Sequence, residues 1–364
     1  MSWFLVFVGF CLLIILHEGG HFAAAKATGM RVERFFLFFG PTIWSFKRGE
    51  TEYGIKSIPL GGYVKITGMN PEEEVPPEVA HRSYYRQDVW KRIVVVAAGP
   101  AVNIALAFLI LFGVYLVNGR PEVDQQVGAV KAGMPAAKVL QPGDKIVAID
   151  GKSFAALPTE ERLVKFGETV ASHKCDGKQV DGCVAATPVR VEIERDGRTR
   201  AFALYPRYDK EAKRGLIGFS YGSRMVDLSA GAAVSEAGNA IWEVTSGTVH
   251  VFTHLFESEQ REQVSSVVGI SDVGHQVIER GLEKSLLLLA LVSLSLGLIN
   301  LVPILPLDGG HIFWSLVEKV RGRPVSLRVM ERATMVGIAL VLMLMFIGLS
   351  NDIGKITGEG FEVR

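Results

Sequence analysis

Cysteine is scarce in this chain, which has three cysteines in 364 residues. That scarcity excludes a small disulfide-dense scaffold and a metal centre built from several cysteines. An excess of charge of one sign is also missing, because 39 Lys and Arg residues stand against 38 Asp and Glu residues. A dominant nucleic-acid-binding surface depends on a clear basic excess, so no nucleic-acid partner is expected.

Apolar residues are abundant, at 49% of the chain, while the charged fraction is an ordinary 21% and the mean hydropathy is +0.28. These values indicate that the apolar residues are concentrated in segments. A membrane-spanning helix needs about 20 mainly apolar residues, and four stretches qualify: Ser2–Ala25, Ile93–Val117, Ser285–Leu307 and Ala333–Asn351. No Lys or Arg precedes Lys26, so the first stretch lacks the basic region of a cleavable signal peptide and is expected to stay in the mature protein. The sequence therefore predicts a polytopic α-helical membrane protein with four transmembrane helices.

Basic residues near the ends of these stretches predict the orientation of the chain in the membrane. Residues 26–45 carry three Lys or Arg and the loop 311–332 carries five, whereas the first 16 residues carry none. Loops rich in Lys and Arg stay on the cytoplasmic side. We therefore expect the loops 26–92 and 311–332 to be cytoplasmic, and both termini and the region 118–284 to be extracytoplasmic.

Two histidines four residues apart lie at the end of the first apolar stretch, in the run His17-Glu18-Gly19-Gly20-His21. Side chains at i and i+4 share one face of a helix, so both imidazoles can bind one zinc ion, with Glu18 placed to act as general base. Ionisable residues in an apolar stretch are costly and are usually functional. The alternative is a structural cluster of polar side chains near the membrane surface.

A third ligand is needed, because catalytic zinc usually has three protein ligands. Asp308 is the candidate, since it follows the third apolar stretch, where Pro303 and Pro306 break the helix. Irregular backbone at membrane depth is tolerated only where it is buried in protein or lines a wet cavity. The charge counts place Asp308 on the same side of the membrane as His17 and His21, so the three side chains can meet. The alternative is that Asp308 caps a helix end.

A second pair of histidines, His250 and His254, has the same spacing. No Glu follows the first of them, and the sequence around them offers no obvious third ligand. The pair lies in a segment with helical periodicity, residues 229–282. These features favour solvated surface histidines over a metal site.

Two of the three cysteines, Cys175 and Cys183, flank a polar seven-residue loop that contains Gly177 and Gly182. The predicted orientation places this loop outside the cytoplasm, where disulfides form and persist. A loop of this length can fold back to bring the two Cα atoms within the roughly 4.4–6.8 Å that a bridge requires. We predict a disulfide; the alternative is two free thiols in a variable insertion.

Together these features resemble the site-2 protease family (M50 type) of intramembrane zinc metalloproteases, in its bacterial regulator-of-sigma-E protease branch. Four stretches match motifs of that family: His17–His21, Ile58–Lys65, Gly99–Asn103 and Leu307–Gly310 with Asn300 upstream. Three more stretches look like parts of a PDZ domain: Val127–Val130, Pro135–Ala137 and Pro142–Gly151. The resemblance covers nearly the whole chain, with the motifs in order.

The resemblance implies a membrane core of four transmembrane helices with a membrane-associated β region and one inserted extracytoplasmic PDZ-like α+β domain. It divides the chain into the first half of the core (1–117), the PDZ-like domain (118–209), an extracytoplasmic amphipathic helical segment (210–284) and the second half of the core (285–364). It places the protein in a bacterial plasma membrane, in contact with the lipid bilayer, with the active site near the cytoplasmic face.

The activity that the resemblance implies is zinc-dependent endoproteolysis inside or at the edge of the bilayer, as part of regulated intramembrane proteolysis. The expected substrates are single-pass transmembrane proteins, namely anti-sigma-factor remnants and leftover signal peptides. Glu18 would be the catalytic residue, and His17, His21 and Asp308 would hold one zinc ion per chain.

Substrate contacts are expected at two places. The region 52–67 is predicted to form strands broken at Pro59 and Gly61-Gly62, and an exposed strand edge can pair with an extended substrate. This assigns Gly61, Gly62 and Tyr63 to substrate binding. By analogy with the family, Asn300 would hold the substrate backbone; the alternative is that its side chain satisfies the backbone of the broken helix.

Two other functions compete with the protease. One is a membrane-anchored PDZ adaptor with an inactive metal site, and the other is a metal transporter. An adaptor has no need for a general base beside a metal ligand, so the presence of Glu18 argues against it. Four spans without further intramembrane carboxylates argue against a transporter.

Overall fold

The computed structural model describes residues 2–70, 73–154, 156–157, 159–210, 212–254 and 281–357. Contacts between residues divide the chain into two compact units. The larger unit combines Met1–Val117 with Ser229–Arg364, and the smaller unit is Asn118–Leu228. Each unit has its own hydrophobic core.

The helices run, in chain order, α1 Ser2–Ala27, α2 Val89–Asn118, α3 Thr159–Ser172, α4 Ala230–Thr253, α5 Leu282–Asn300, α6 Asp308–Arg321 and α7 Leu327–Thr357. The strands are β1 Val32–Arg48, β2 Thr51–Ile66, β3 Arg120–Val130, β4 Lys145–Ile149, β5 Val189–Arg195, β6 Arg198–Leu204, β7 Arg207–Asp209, β8 Arg214–Leu216 and β9 Phe219–Val226. Short 3-10 turns lie at Ala80–Arg82, Tyr84–Arg86 and Pro135–Lys138.

In the described part of the chain, four helices are long and apolar enough to cross a membrane: Phe4–Ala27, Val89–Asn118, Leu282–Asn300 and Leu327–Ile353. They correspond to the four predicted stretches. The third of these membrane helices, α5, ends at Asn300, seven residues before the predicted end of its apolar stretch. The reason is that Pro303 and Pro306 lack the backbone N–H groups that would continue it.

Small residues allow α2 and α5 to pack closely in the larger unit. A Cβ on Gly297 of α5 would lie only 3.1 Å from the carbonyl oxygen of Pro100 in α2. Beside it, the buried hydroxyl of Ser293 donates a hydrogen bond of 2.9 Å to the carbonyl oxygen of Asn103. Close backbone approach and interhelical hydrogen bonds are what hold helices together where lipid removes the hydrophobic driving force.

Helix α4 packs a face of small residues against the same core, and Ala233 and Ala237 on this helix are fully buried. The hydroxyl of Ser229 accepts a hydrogen bond from the N–H of Ala232 and so caps its first turn. The helical periodicity predicted from residue 229 agrees with a helix that begins at Ala230, whereas the boundary of the helical segment at residue 210 is wrong, because the chain up to Val226 forms strands of the smaller unit. Residues 255–280 of the predicted helical segment lie outside the described residues.

Strands β1 and β2 form a strongly bent antiparallel hairpin in the larger unit. Residues 32–37 pair with 62–66 on one side, residues 34–37 also pair with 52–55 on the other side, and the pairing of 51–56 continues with 42–48. The order across the sheet is therefore 42–48, 51–56, 32–37, 62–66. The change of neighbour falls at Pro59–Gly61, where the sequence predicted a break. In the part of the chain that the structure describes, no strand pairs with the outer side of 62–66, which is an edge.

An ion cluster fastens the tip of this hairpin. Glu50 accepts hydrogen bonds from Arg82, at 2.7 and 2.8 Å, and from Lys26 at the end of α1, at 2.5 Å. These bonds, those from Arg82 foremost, hold the pKa of Glu50 at about 2. A carboxyl whose pKa is lowered on folding stabilises the fold above its ordinary pKa. That stabilisation is therefore present at neutral pH and is lost as the pH falls from about 4.5 towards 2.

The smaller unit contains a five-stranded sheet with the order β6-β5-β4-β3-β9, whose paired strands are antiparallel. Helix α3 contributes Phe166 and Val170 to its core, against strand residues such as Val191 and Ile193. A separate pair, β7 and β8, lies between β6 and β9 in the chain. Arg195 donates two hydrogen bonds of 2.6 Å to the carboxylate of Asp144. Burial of Asp144 acts to raise the pKa of its carboxyl, but the bonds from Arg195 hold that pKa below its ordinary value.

Cys175 and Cys183 form the predicted disulfide in this unit, with Cα atoms 6.1 Å apart. A bridge that closes so short a loop adds at most about 2–3 kcal/mol. We expect the Cys175→Ser/Cys183→Ser double variant to melt a few degrees lower than the wild type, measured by thermal unfolding. Alkylation of both cysteines in freshly prepared, unreduced protein would contradict the bridge.

Candidate metal centre

The predicted site residues line one cavity of about 340 Å³ in the larger unit. Helix α1 supplies His17, Glu18 and His21, strand β2 supplies Gly61, Gly62 and Tyr63, and Asn300, Asp308 and His311 come from the end of α5 and the start of α6. Segments nearly 300 residues apart in sequence therefore meet at one place. Apart from His311, whose presence the sequence did not predict, these are the residues expected there.

Three of these side chains point their ligand atoms at a common centre. The Nε2 atoms of His17 and His21 are 3.2 Å apart, and each lies near Oδ2 of Asp308, at 3.3 and 3.4 Å. Tetrahedral coordination with bonds of about 2.0–2.1 Å separates two ligand atoms by about 3.3–3.4 Å. The buried Oδ2 atom of Asp308 has no well-aligned hydrogen-bond donor among the described residues. The donor set and its spacing fit a tetrahedral metal ion.

The second nitrogen of His21 is held by the backbone of α2. Its Nδ1 atom donates a hydrogen bond of 2.9 Å to the carbonyl oxygen of Val95. This bond fixes the tautomer with Nε2 unprotonated, which is the form that binds a metal, and it sets the orientation of the ring.

Two glycines make this approach of α1 and α2 possible. A Cβ on Gly20 would lie 2.5 Å from the carbonyl oxygen of Ala98, and a Cβ on Gly99 would overlap the imidazole of His21. The sequence contained a signal for this contact, because Gly99 belongs to one of the matched motifs. Its packing role against a metal ligand could be seen only in the folded chain.

Replacing Gly99 with Ala is expected to displace the His21 ring and to weaken metal binding by about 10- to 100-fold. That is the usual loss of metal affinity when the group that orients a ligand is disturbed. The measurement is metal affinity by competition with a chelator. Gly113→Ala is the matched control, because it lies in the same helix and its Cβ would meet no atom within 4 Å. Equal metal affinity of the two variants would contradict the role given to Gly99.

Asp308 is the first residue of α6 and follows the broken segment after α5. Gly309 and Gly310 are buried, and a Cβ on Gly310 would lie 2.5 Å from the backbone nitrogen of Leu305. The two glycines therefore let the start of α6 pack directly on the backbone of the preceding segment. This close packing fixes where the Asp308 carboxylate points.

A buried ion pair joins α6 to α2 farther from the centre. Arg92 donates hydrogen bonds of 3.0 and 2.6 Å to the carboxylate of Glu318, and its guanidinium lies over the rings of Tyr84 and Tyr85. Burial raises the pKa of Tyr84. The sequence gave one signal for this pair, which is the position of Arg92 directly before the apolar stretch Ile93–Val117.

Glu18 lies between α1 and β2, and its Cγ atom would be 2.9 Å from a Cβ on Gly62. Among the described residues, Glu18 makes no hydrogen bond or ion pair. Its carboxylate borders the cavity beside the two histidines and is free to take up a proton. The arrangement can activate a water molecule next to a metal ion.

The second histidine pair, His250 and His254, is not part of a cluster of three potential metal ligands among the described residues. The ring centroids of His250 and His254 lie 4.1 Å apart with the planes tilted by 34°, and Nδ1 of His254 donates a hydrogen bond of 3.0 Å to the carbonyl oxygen of His250. Within the described ranges, the cluster of three or more potential metal ligands is that of His17, His21 and Asp308.

Comparison with known proteins agrees with this chemistry. The family model described as Peptidase family M50 matches residues 5–344. The chain is similar to the zinc metalloprotease Rip1 of Mycolicibacterium smegmatis, with 33% identity over 88% of this chain and 86% of the relative, and to Rip1 of Mycobacterium tuberculosis, with 34% identity over 86% and 85%. It is also similar to the putative zinc metalloprotease R01501 of Rhizobium meliloti, with 30% identity over 95% of each chain. The chain thus belongs to peptidase family M50, the site-2 protease family, and is a membrane metalloprotease.

Proposed function

We propose that this chain is a zinc-dependent endopeptidase that cuts single-pass transmembrane proteins inside the bilayer or at its edge. One observation carries the proposal: three converging ligand atoms and a free Glu18 share a cavity with a strand edge, at the end of membrane-spanning helices. A peptidase that cuts soluble substrates has no need of a metal-binding cavity at the end of membrane-spanning helices. The PDZ adaptor has no comparable observation in its favour.

His17, His21 and Asp308 would hold one zinc ion per chain. The bound ion would supply Lewis-acid chemistry at this place, which makes a water molecule nucleophilic at neutral pH. A carboxylate oxygen of Glu18 accepts a proton as water attacks and returns it to the departing amine. The Val95 carbonyl keeps His21 in place throughout, because the bond to its Nδ1 does not involve the reacting atoms.

The edge 62–66 provides a place for the substrate. A peptide bond in a helix is shielded by its own hydrogen bonds, so the substrate must be extended before it can react. An extended segment can add to the free edge as another strand, with main-chain hydrogen bonds aligning it along the cavity. Gly61, Gly62 and Tyr63 line the cavity beside that edge, with the Tyr63 ring stacked on Phe36 and Phe39.

The side chain of Asn300 can serve both functions that the sequence suggested, which are to satisfy the backbone of the broken helix and to hold the substrate backbone. Its Nδ2 atom donates a hydrogen bond of 3.1 Å to the carbonyl oxygen of Leu296, one turn back in α5. That bond satisfies the end of the helix and orients the amide towards the cavity. The Oδ1 atom is then available to accept a hydrogen bond from a substrate N–H.

The smaller unit, Asn118–Leu228, is proposed to be the extracytoplasmic PDZ-like domain, which extends beyond the end at residue 209 that the sequence predicted. Its sheet and helix α3 give the α+β composition that such a domain has. It either binds peptides or admits only substrates whose outer part has been trimmed. Anti-sigma-factor remnants and leftover signal peptides are the proposed substrates, because both are short single-pass segments.

The proposal is tested with purified protein in lipid vesicles that also contain a single-pass substrate. Mass spectrometry of the fragments is expected to place the cut within the apolar span of the substrate, in its cytoplasmic half. A substrate with helix-breaking residues near that point is expected to be cut faster than one with a continuous Leu-rich span. Cleavage confined to soluble segments would contradict intramembrane proteolysis.

The proposed orientation makes a separate prediction about membrane topology. In a chain with Cys11 replaced by Ser, single cysteines at Asp209 and Gly322 are expected to react on opposite sides of the membrane. An impermeant maleimide applied to intact cells should label the first and not the second, because Lys and Arg are retained on the cytoplasmic side. Labelling at Gly322 in intact cells would place the metal centre at the outer face.

A further inference from the structure

A second cavity of about 320 Å³ lies in the larger unit, outside the metal centre. Its walls are the broken segment around Ile304, the second turn of α6 with Phe313 and Trp314, and one face of α7. It has no residue in common with the metal-centre cavity. It opens sideways on surfaces where Phe313 and Val336 are 44% and 61% exposed, which in a membrane means exposure to lipid.

The α7 side of this groove has a charge at one end and apolar residues along the rest. Arg332, Val336 and Leu340 are spaced by four residues, so they share one face of the helix and extend over about 12 Å of its axis. Arg332 lies near the start of the span Leu327–Ile353, and Leu340 lies towards its middle. The polar end is therefore at the membrane boundary and the apolar end reaches into the hydrocarbon layer.

Arg332 is the charged residue of the groove lining, and its guanidinium has no partner among the residues that the structure describes. Within the described ranges it makes neither a hydrogen bond nor an ion pair. The end of α6, the following loop and the start of α7 add Arg321, Arg323 and Arg328, so the local charge is positive. A guanidinium at a membrane boundary binds a phosphate well, because its donors match two oxygens at once.

We propose that this groove binds one anionic phospholipid. The phosphate sits on Arg332, and one acyl chain lies along Val336 and Leu340, against Ile304. Trp314 suits this position, because Trp side chains prefer the level of lipid headgroups. Charge at one end and about 12 Å of apolar surface beyond it match a phospholipid and do not match a soluble anion.

The lipid would also contact the segment that leads to the metal ligand. Gly337 lies in the groove lining, and a Cβ there would overlap the carbonyl oxygen of Leu305, so α7 and the broken segment touch through their backbones. Asp308 follows three residues later. Lipid bound in the groove is therefore in contact with the same segment that positions Asp308.

Native mass spectrometry of the full chain in mild detergent tests the proposal. The probes are phosphatidylglycerol and phosphatidylcholine with identical acyl chains. Wild type is expected to bind phosphatidylglycerol about fivefold more tightly, the effect of one basic residue near an anionic headgroup. Arg332→Gln is expected to remove that preference and Arg332→Lys to restore most of it. Val336→Trp, which fills the groove, is expected to reduce binding of both lipids.

Arg321→Gln is the matched control, because it removes one charge from the same region without touching the groove. It is expected to keep the preference. If Arg332→Gln kept the preference, or if Arg321→Gln lost it to the same extent, the site would be overturned. Unchanged lipid binding in Val336→Trp, or displacement of the lipid by glycerol phosphate without acyl chains, would also overturn it.

Discussion

Glu18→Gln is expected to lower kcat by a factor of about 10²–10⁴, with metal content and unfolding temperature unchanged. Gln has the same shape as Glu but cannot take a proton from water, so only proton transfer is lost. The structure gives no other task to this side chain, since among the described residues it makes no hydrogen bond or ion pair. The measurement is the rate of cleavage of a single-pass substrate in vesicles, with zinc measured on the same sample.

Glu243→Gln is a suitable control, because Glu243 is an exposed residue of α4 away from the cavity. It is expected to cleave at the wild-type rate. A Glu18→Gln variant that did the same would exclude Glu18 as the general base, even if the metal assignment held.

Asp308→Ala is expected to remove both metal and activity. A three-ligand site cannot lose a ligand and keep its affinity, and the remaining His17 and His21 Nε2 atoms would face each other at 3.2 Å without a counter-charge. Zinc per chain should fall from near one to near zero after dialysis against a weak chelator. Asp308→Glu is expected to retain part of the metal, because it keeps the carboxylate but moves it.

Asp308 also begins α6, so loss of activity alone would not separate a metal ligand from a structural residue. The unfolding temperature of the variant, measured without metal, makes that separation. We expect it to match that of metal-free wild type. An Asp308→Ala protein that is folded, retains zinc and cleaves its substrate would exclude Asp308 as a ligand.

The sequence predicted those parts of the protein that local patterns determine. The four membrane helices follow from runs of apolar residues, and the i, i+4 spacing places His17 and His21 on one face of α1. The meeting of Asp308 with these histidines could be predicted across nearly 300 residues, because the membrane restricts which segment ends share a side. The disulfide followed from loop length and the predicted compartment.

Parts that depend on contacts between distant segments could not be predicted. The double pairing of residues 34–37, which makes 62–66 an edge, depends on how the hairpin bends and not on its composition. The fit of Gly99 against His21 and the bond from Arg92 to Glu318 both join elements that the sequence treats separately. The boundary at residue 210 between the smaller unit and the helical segment was placed too early, because the sequence gave no sign that strands continue to Val226.

Zinc-edge X-ray absorption spectroscopy of the purified wild-type chain tests the metal assignment most directly. We expect one zinc per chain with two imidazole nitrogens at about 2.0–2.1 Å, oxygen in the remaining positions and no sulfur. Glu18→Gln should give the same spectrum, because Glu18 is not a ligand. A third imidazole would indicate that His311 binds the metal in place of Asp308. That result, or a wild-type protein that holds no zinc, would contradict the assignment of His17, His21 and Asp308.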